Sequence, residues 1–201
     1  MDEIDETEWW TLVTKGAAQD PTTWLASAQR LNQSATLLWD RFSAGRGSKW
    51  QDEWGDLPAA LMLAGFALEN LAKGLIVAKE PQVVGKTELA RWSVRSGHAI
   101  TELLSRAGVL LDGDAERVTV ERLEYFARWA GRYPVPMKFE ENTPIDSLGH
   151  GYRPLEISDE NRAAEWDLYR RIYARTKSAF ATLVPPGAID PGVQTAEPGL
   201  G

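Results

Sequence analysis

The sequence contains no cysteine. That absence excludes disulfides, thiolate metal centres and cysteine nucleophiles together. Histidine is almost as scarce. His98 and His150 are the only two, and neither stands at a spacing from other histidine, aspartate or glutamate residues that resembles a metal site. No serine lies in a nucleophile-elbow context. Few stretches alternate between apolar and polar residues with period two, which leaves little material for half-buried strands. The opening residues, MDEIDETEWW, are acidic and lack the basic start and apolar core of an export signal. These absences together predict a cytoplasmic protein that uses neither a metal nor another cofactor.

What is present is enough for one domain with a sizeable core: 201 residues, 43% of them hydrophobic, with a formal net charge of -7. The charge is unevenly spread. Residues 1 to 20 hold six acids and a single lysine, Lys15, so the remaining chain is close to balanced. Two stretches, Arg117 to Lys138 and Arg162 to Lys177, each carry five bases against two acids. The overall charge therefore argues against nonspecific nucleic-acid binding, while local basic faces stay available.

The pattern divides the chain into an acidic N-terminal arm at 1–19, a helical domain at 20–184, and a tail at 185–201. The tail, rich in proline and glycine, has little to bury and is expected to be disordered. The arm carries Trp9 and Trp10, which are expected to dock on the body of the protein or to meet a partner. Asp20-Pro21 is an N-cap followed by a proline at the first helical position. From there Trp24, Ala28, Leu31, Ala35, Leu38 and Phe42 recur at helical spacing. A loop at 43–56 follows. Its glycines and Lys49 do not have the spacing of a phosphate-binding loop, and no strand precedes them. Asp56 is expected to cap the next helix, with Pro58 in its first turn.

That next helix contains LMLAGFALENLAKGLIVAK, Leu61 to Lys79, apolar around most of its circumference. Its length suits a membrane span, but Glu69 and Lys73 near its centre would be costly in lipid. Burial inside a bundle accounts for it better, so no membrane association is expected. The spacing of four, glutamate first, makes Glu69 and Lys73 an internal ion pair. A short helix is predicted from about His98 to Ala107 and a longer one from near Asp114 to Ala130, with Val120, Leu123, Ala127 and Ala130 on its buried side. Residues 137–157 read as a long irregular connection. The last helix starts at Ser158 and buries Trp166, Tyr169, Ile172, Tyr173, Phe180 and Leu183, with Arg162, Arg170 and Arg171 outward. The expected fold is all-α: an up-and-down helical bundle of four to five helices with a long irregular connection before the last.

Three segments, FALENLAKGLIVAK (66–79), GHAITELL (97–104) and FARWAGRYPVP (126–136), resemble the HEPN superfamily, the higher eukaryotes and prokaryotes nucleotide-binding domain. The resemblance covers residues 20 to 184. It implies a helical bundle that dimerises and acts with RNA, a nucleotide or a protein partner, in RNA cleavage, toxin systems or phage defence. The ribonuclease signature of such proteins is an arginine, four to six residues, then a histidine near the start of a late helix. Here Arg162 has the arginine's place, and Asp167, Leu168 and Tyr169 occupy the positions a histidine would need. Arg91 and His98 do have the spacing, earlier in the chain.

Two candidate sites follow. In the first, His98 would act as general acid or base on a ribose 2′-hydroxyl, with Arg91 or Arg95 stabilising the phosphate. Against this stands a structural histidine in the first turn of a helix beside two solvated arginines. In the second, Arg128, Arg132 and Tyr133 form a basic helix end running into a tyrosine-proline turn that would bind a phosphate and stack a base. The alternative is that Tyr133 packs on the core and Arg132 caps its own helix. Trp50, Trp54 and Trp92 lie in predicted loops and are candidates for a contact surface.

The functional expectation is an accessory or binding module, weakly catalytic or inactive, acting with RNA, a nucleotide or a partner. Two alternatives are a metal-independent endoribonuclease using Arg91, Arg95 and His98, and a purely structural interaction domain. A homodimer is expected, and the acidic arm would recruit a protein partner.

Overall fold

The computed structural model describes residues 6–45, 53–85, 98–130, 146–149 and 159–184. Among these residues lie six α-helices: α1 (Glu6–Gln19), α2 (Pro21–Ala44), α3 (Glu53–Lys79), α4 (Ile100–Arg106), α5 (Gly113–Tyr125) and α6 (Asp159–Leu183). The fold is an all-α bundle. A single 3-10 turn, Pro81–Val83, follows α3, and α5 runs on into a π-helical turn at Phe126–Ala130. The 185–201 tail and most of the 137–157 connection lie outside the described residues.

The chain enters α2 through Asp20, whose Oδ1 accepts the Thr22 N–H at 2.8 Å, with Pro21 opening the helix. The apolar stripe of α2 then turns inward. Ala28, Ala35 and Phe42 are buried, Trp24, Leu31 and Leu38 partly so, and Trp39 joins them.

α3 is the centre of the bundle, packing against α2, α4, α5, the π turn and α6. Its composition would suit a membrane span, yet 78% of its most apolar window is buried inside the protein. Neighbouring helices, not lipid, cover its circumference. Two glycines let them come close. A Cβ on Gly65 would sit 2.7 Å from the Leu123 carbonyl oxygen of α5, and one on Gly74 would sit 2.9 Å from both Trp24 Cβ and the Phe180 ring. On the opposite wall, Trp166 of α6 stacks on Trp39 of α2 with centroids 4.6 Å apart and planes 6° from parallel. The Tyr169 hydroxyl, buried, donates to Asn32 Oδ1 at 2.6 Å, and burial pushes its pKa well above that of a free tyrosine.

Four local expectations change. Asp56 does not cap α3, because the helix already begins at Glu53. Asp56 lies inside it, buried, and accepts from Arg41 Nε at 2.6 Å. Arg162 does not simply point outward: its guanidinium lies 5.7 Å from the Phe42 ring centroid. Leu183 is 44% exposed because α6 outruns the helices that cover it. Trp9 and Trp10 do not dock on the body. The arm forms α1, which meets only the start of α2, where Trp24 Nε1 donates to Ala18 O at 3.0 Å. Its two tryptophans stay 48% and 54% exposed.

Candidate functional site

Glu69 projects from the middle of α3. Four residues on, Lys73 Nζ donates to Glu69 Oε1 at 2.6 Å, and both side chains are nearly closed to water, 6% and 10% exposed. Two lone charges so placed would each cost several kcal/mol, and pairing offsets the cost without turning it into a large gain. Lys73 also lies 5.9 Å from the Trp24 ring centroid, on the negative face of an indole. The next residue, Asn70, donates back to Phe66 O at 2.7 Å, a turn-internal bond that keeps its amide out of the cluster.

The second oxygen of Glu69 does something the helix alone does not reveal. Glu69 Oε2 lies 2.8 Å from His98 Nδ1, twenty-nine residues away in sequence. His98 precedes α4, whose Ile100, Leu103 and Leu104 are fully buried against the core. Those three side chains fix α4 on α3, and so fix His98 over Glu69. Phe66 flanks the imidazole, centroids 6.1 Å apart. The ring is 40% exposed while the carboxylate beneath it is shut away.

The chemistry of this arrangement follows from the donor inventory. A carboxylate only accepts, so a neutral His98 must carry its proton on Nδ1 to use the contact, which leaves an acceptor lone pair on Nε2. Protonated, the same ring presents an Nε2–H donor. A carboxylate-held imidazole of this kind can accept a proton from a hydroxyl or donate to a phosphate oxygen.

Of the residues put forward from the sequence, the structure brings together His98, Glu69 and Lys73. Arg91 and Arg95 lie outside the described residues, as do Arg132, Tyr133, His150, Trp50 and Trp92. Arg128 is engaged by its own helix, donating through Nη2 to Glu124 Oε1 at 2.6 Å. Burial pushes the Glu124 carboxyl above the ordinary glutamate range, and the attraction of Arg128 and the Thr101 N–H only partly offset it. Among the described residues no three histidine, aspartate or glutamate side chains are grouped to hold a metal.

A second polar cluster went unread in the sequence. Between α5 and α6, Glu116 binds the Arg175 guanidinium through both carboxylate oxygens and accepts the Asp112 N–H at 2.7 Å. Beside it Arg122 Nη1 donates to Glu165 Oε2 at 2.7 Å. The sequence signal for this seam was slight: acids early in α5 and bases in α6, with no spacing rule to pair them. No family model, no curated protein and no solved structure matches this chain.

Proposed function

We propose that this chain is a HEPN-like accessory or binding module, cytoplasmic, that acts with RNA or a nucleotide in a bacterial stress or defence system and meets the phosphodiester at His98. The observation that carries the reading is the 2.8 Å contact of Glu69 Oε2 with His98 Nδ1. A buried carboxylate holds one edge of the imidazole and leaves the other edge to serve a ligand. The position that would need a histidine in the late helix of a ribonuclease of the resembled family is filled differently here. Tyr169 is buried and its hydroxyl is committed to Asn32. Support for catalysis at that helix is therefore missing.

The same contact favours a second reading, a metal-independent endoribonuclease in which His98 moves the proton of a ribose 2′-hydroxyl. A single set of measurements separates the two: binding of labelled single-stranded RNA by fluorescence anisotropy, and integrity of the RNA in chelator, for the parent chain and His98→Ala. The expected outcome is binding that falls roughly ten-fold in the variant, the size of one lost charge-assisted hydrogen bond, with RNA intact throughout. RNA loss by the parent alone would make the protein a ribonuclease. Equal RNA binding by both proteins, or none by either, would overturn the assignment of His98.

A further inference from the structure

The largest unpartnered apolar face belongs to α1. Trp9, Leu12, Val13 and Gly16 follow one another at spacings of three, one and three, which places them on one side of the helix. That side faces solvent: Trp9 is 48%, Leu12 53% and Val13 42% exposed, and Trp10 beside them 54%. Trp10 meets Trp9 edge-on at 4.7 Å, so the two indoles form one aromatic knob near the start of the helix. At the other end the surface is hollow, since a Cβ on Gly16 would find nothing within 4 Å.

Charge is distributed with the same asymmetry. Asp2, Glu3, Asp5, Glu6 and Glu8 precede the aromatic pair, with no base among them, and Lys15 is the lone charge of residues 10–19. A knob and acids at one end with a hollow and a lysine at the other make a surface complementary to its own reverse. We propose that α1 pairs with α1 of a second copy, antiparallel about a two-fold axis between Leu12 and Val13, and so forms a homodimer.

In that register residue 9 faces residue 16. Trp9 of each chain seats over Gly16 of the other, Leu12 packs on Val13, and Lys15 lies against the face of Trp10 near the opposite acidic end. A parallel pair would set the two acidic ends side by side. The antiparallel pair also opposes the two helix dipoles. A contact of one 14-residue helix per chain is smaller than a standard interface, which predicts a dimer of micromolar affinity.

Sedimentation velocity on the full chain across roughly 1–200 μM should show a monomer–dimer equilibrium. Gly16→Leu is the sharpest variant. It raises helix propensity and meets open space in the monomer, yet fills the seat of the second copy's Trp9. The dimer should weaken ten-fold or more while the helical circular dichroism is kept.

Because the chain has no cysteine of its own, single cysteines report the geometry. Leu12→Cys should cross-link on mild oxidation. Ala17→Cys should not, since two residues 17 would stand roughly 13 Å apart along an antiparallel pair. Any of three results overturns the proposal: a monomer at every concentration, a dimer indifferent to Gly16→Leu, or Ala17→Cys cross-linking as readily as Leu12→Cys.

Discussion

Glu69 and Glu116 are both buried carboxylates bound to a cation, and they differ in what else they hold. Glu116 is saturated. Arg175 takes both its oxygens and the Asp112 N–H adds a third donor, so the cluster ties α5 to α6. Glu69 divides itself: one oxygen goes to Lys73, sealed in the bundle, and the other to His98, whose ring is partly in water. A guanidinium stays charged across the physiological range and binds a carboxylate as a rigid fork. An imidazole can change its charge and carry a proton away. A carboxylate closed by arginine fastens helices, whereas one shared with a surface histidine passes its influence to a group that a ligand can reach.

The comparison breaks first on stability. Glu69→Ala leaves Lys73 with a 10% exposed side chain and no carboxylate, and should cost about 3–5 kcal/mol in urea denaturation. Glu116→Ala strands Arg175, but that side chain is already 39% exposed and can turn its charge to water. Its loss should be about 1–2 kcal/mol. Equal losses would mean that the two carboxylates play the same structural part.

Acid sharpens the contrast. Burial works against ionisation of Glu116, but its hydrogen bonds from Arg175 and Asp112 prevail and hold its pKa below the ordinary 4.5. The sign follows from linkage. A carboxyl whose pKa is lower in the folded state contributes stability above its unfolded value and loses it as the pH falls through the folded one. Glu124 behaves in the opposite sense, because burial raises its pKa and protonation relieves the folded state. Unfolding free energies measured from pH 6 downward should therefore fall less steeply below about 4.5 in Glu116→Gln than in the parent. In Glu124→Gln the fall should begin at higher pH, since the offsetting gain is gone.

Much of this architecture was legible because it is local. The N-cap at Asp20, the α2 stripe, the reading of the apolar α3 as a bundle core and the i,i+4 spacing of Glu69 and Lys73 depend on near neighbours in sequence. What was missed depends on distant contacts. Nothing at Glu69 announces that its second oxygen reaches residue 98, and nothing in α5 announces Arg175. Asp56 was misread because its residue type suits a cap, while the helix had started three positions earlier to let Arg41 reach it. Trp9 and Trp10 were misplaced for a different reason. Amphipathic spacing identifies an apolar face without saying which surface covers it.

The smallest stability effect belongs to His98, and it decides between the two kinds of carboxylate most directly. Replacing it by alanine removes one hydrogen bond from Glu69 Oε2, and water can enter where the 40% exposed ring stood. The melting temperature should shift by only a few degrees, corresponding to less than about 1 kcal/mol. Glu69→Ala, by contrast, should lose both the stability and the held imidazole. If His98→Ala destabilised the protein as much as Glu69→Ala does, the imidazole would be a structural strut like Arg175. A fold that barely notices the loss, in a protein whose RNA affinity falls ten-fold, would separate the site from its scaffold: Glu69 and Lys73 would belong to the bundle and His98 to the ligand.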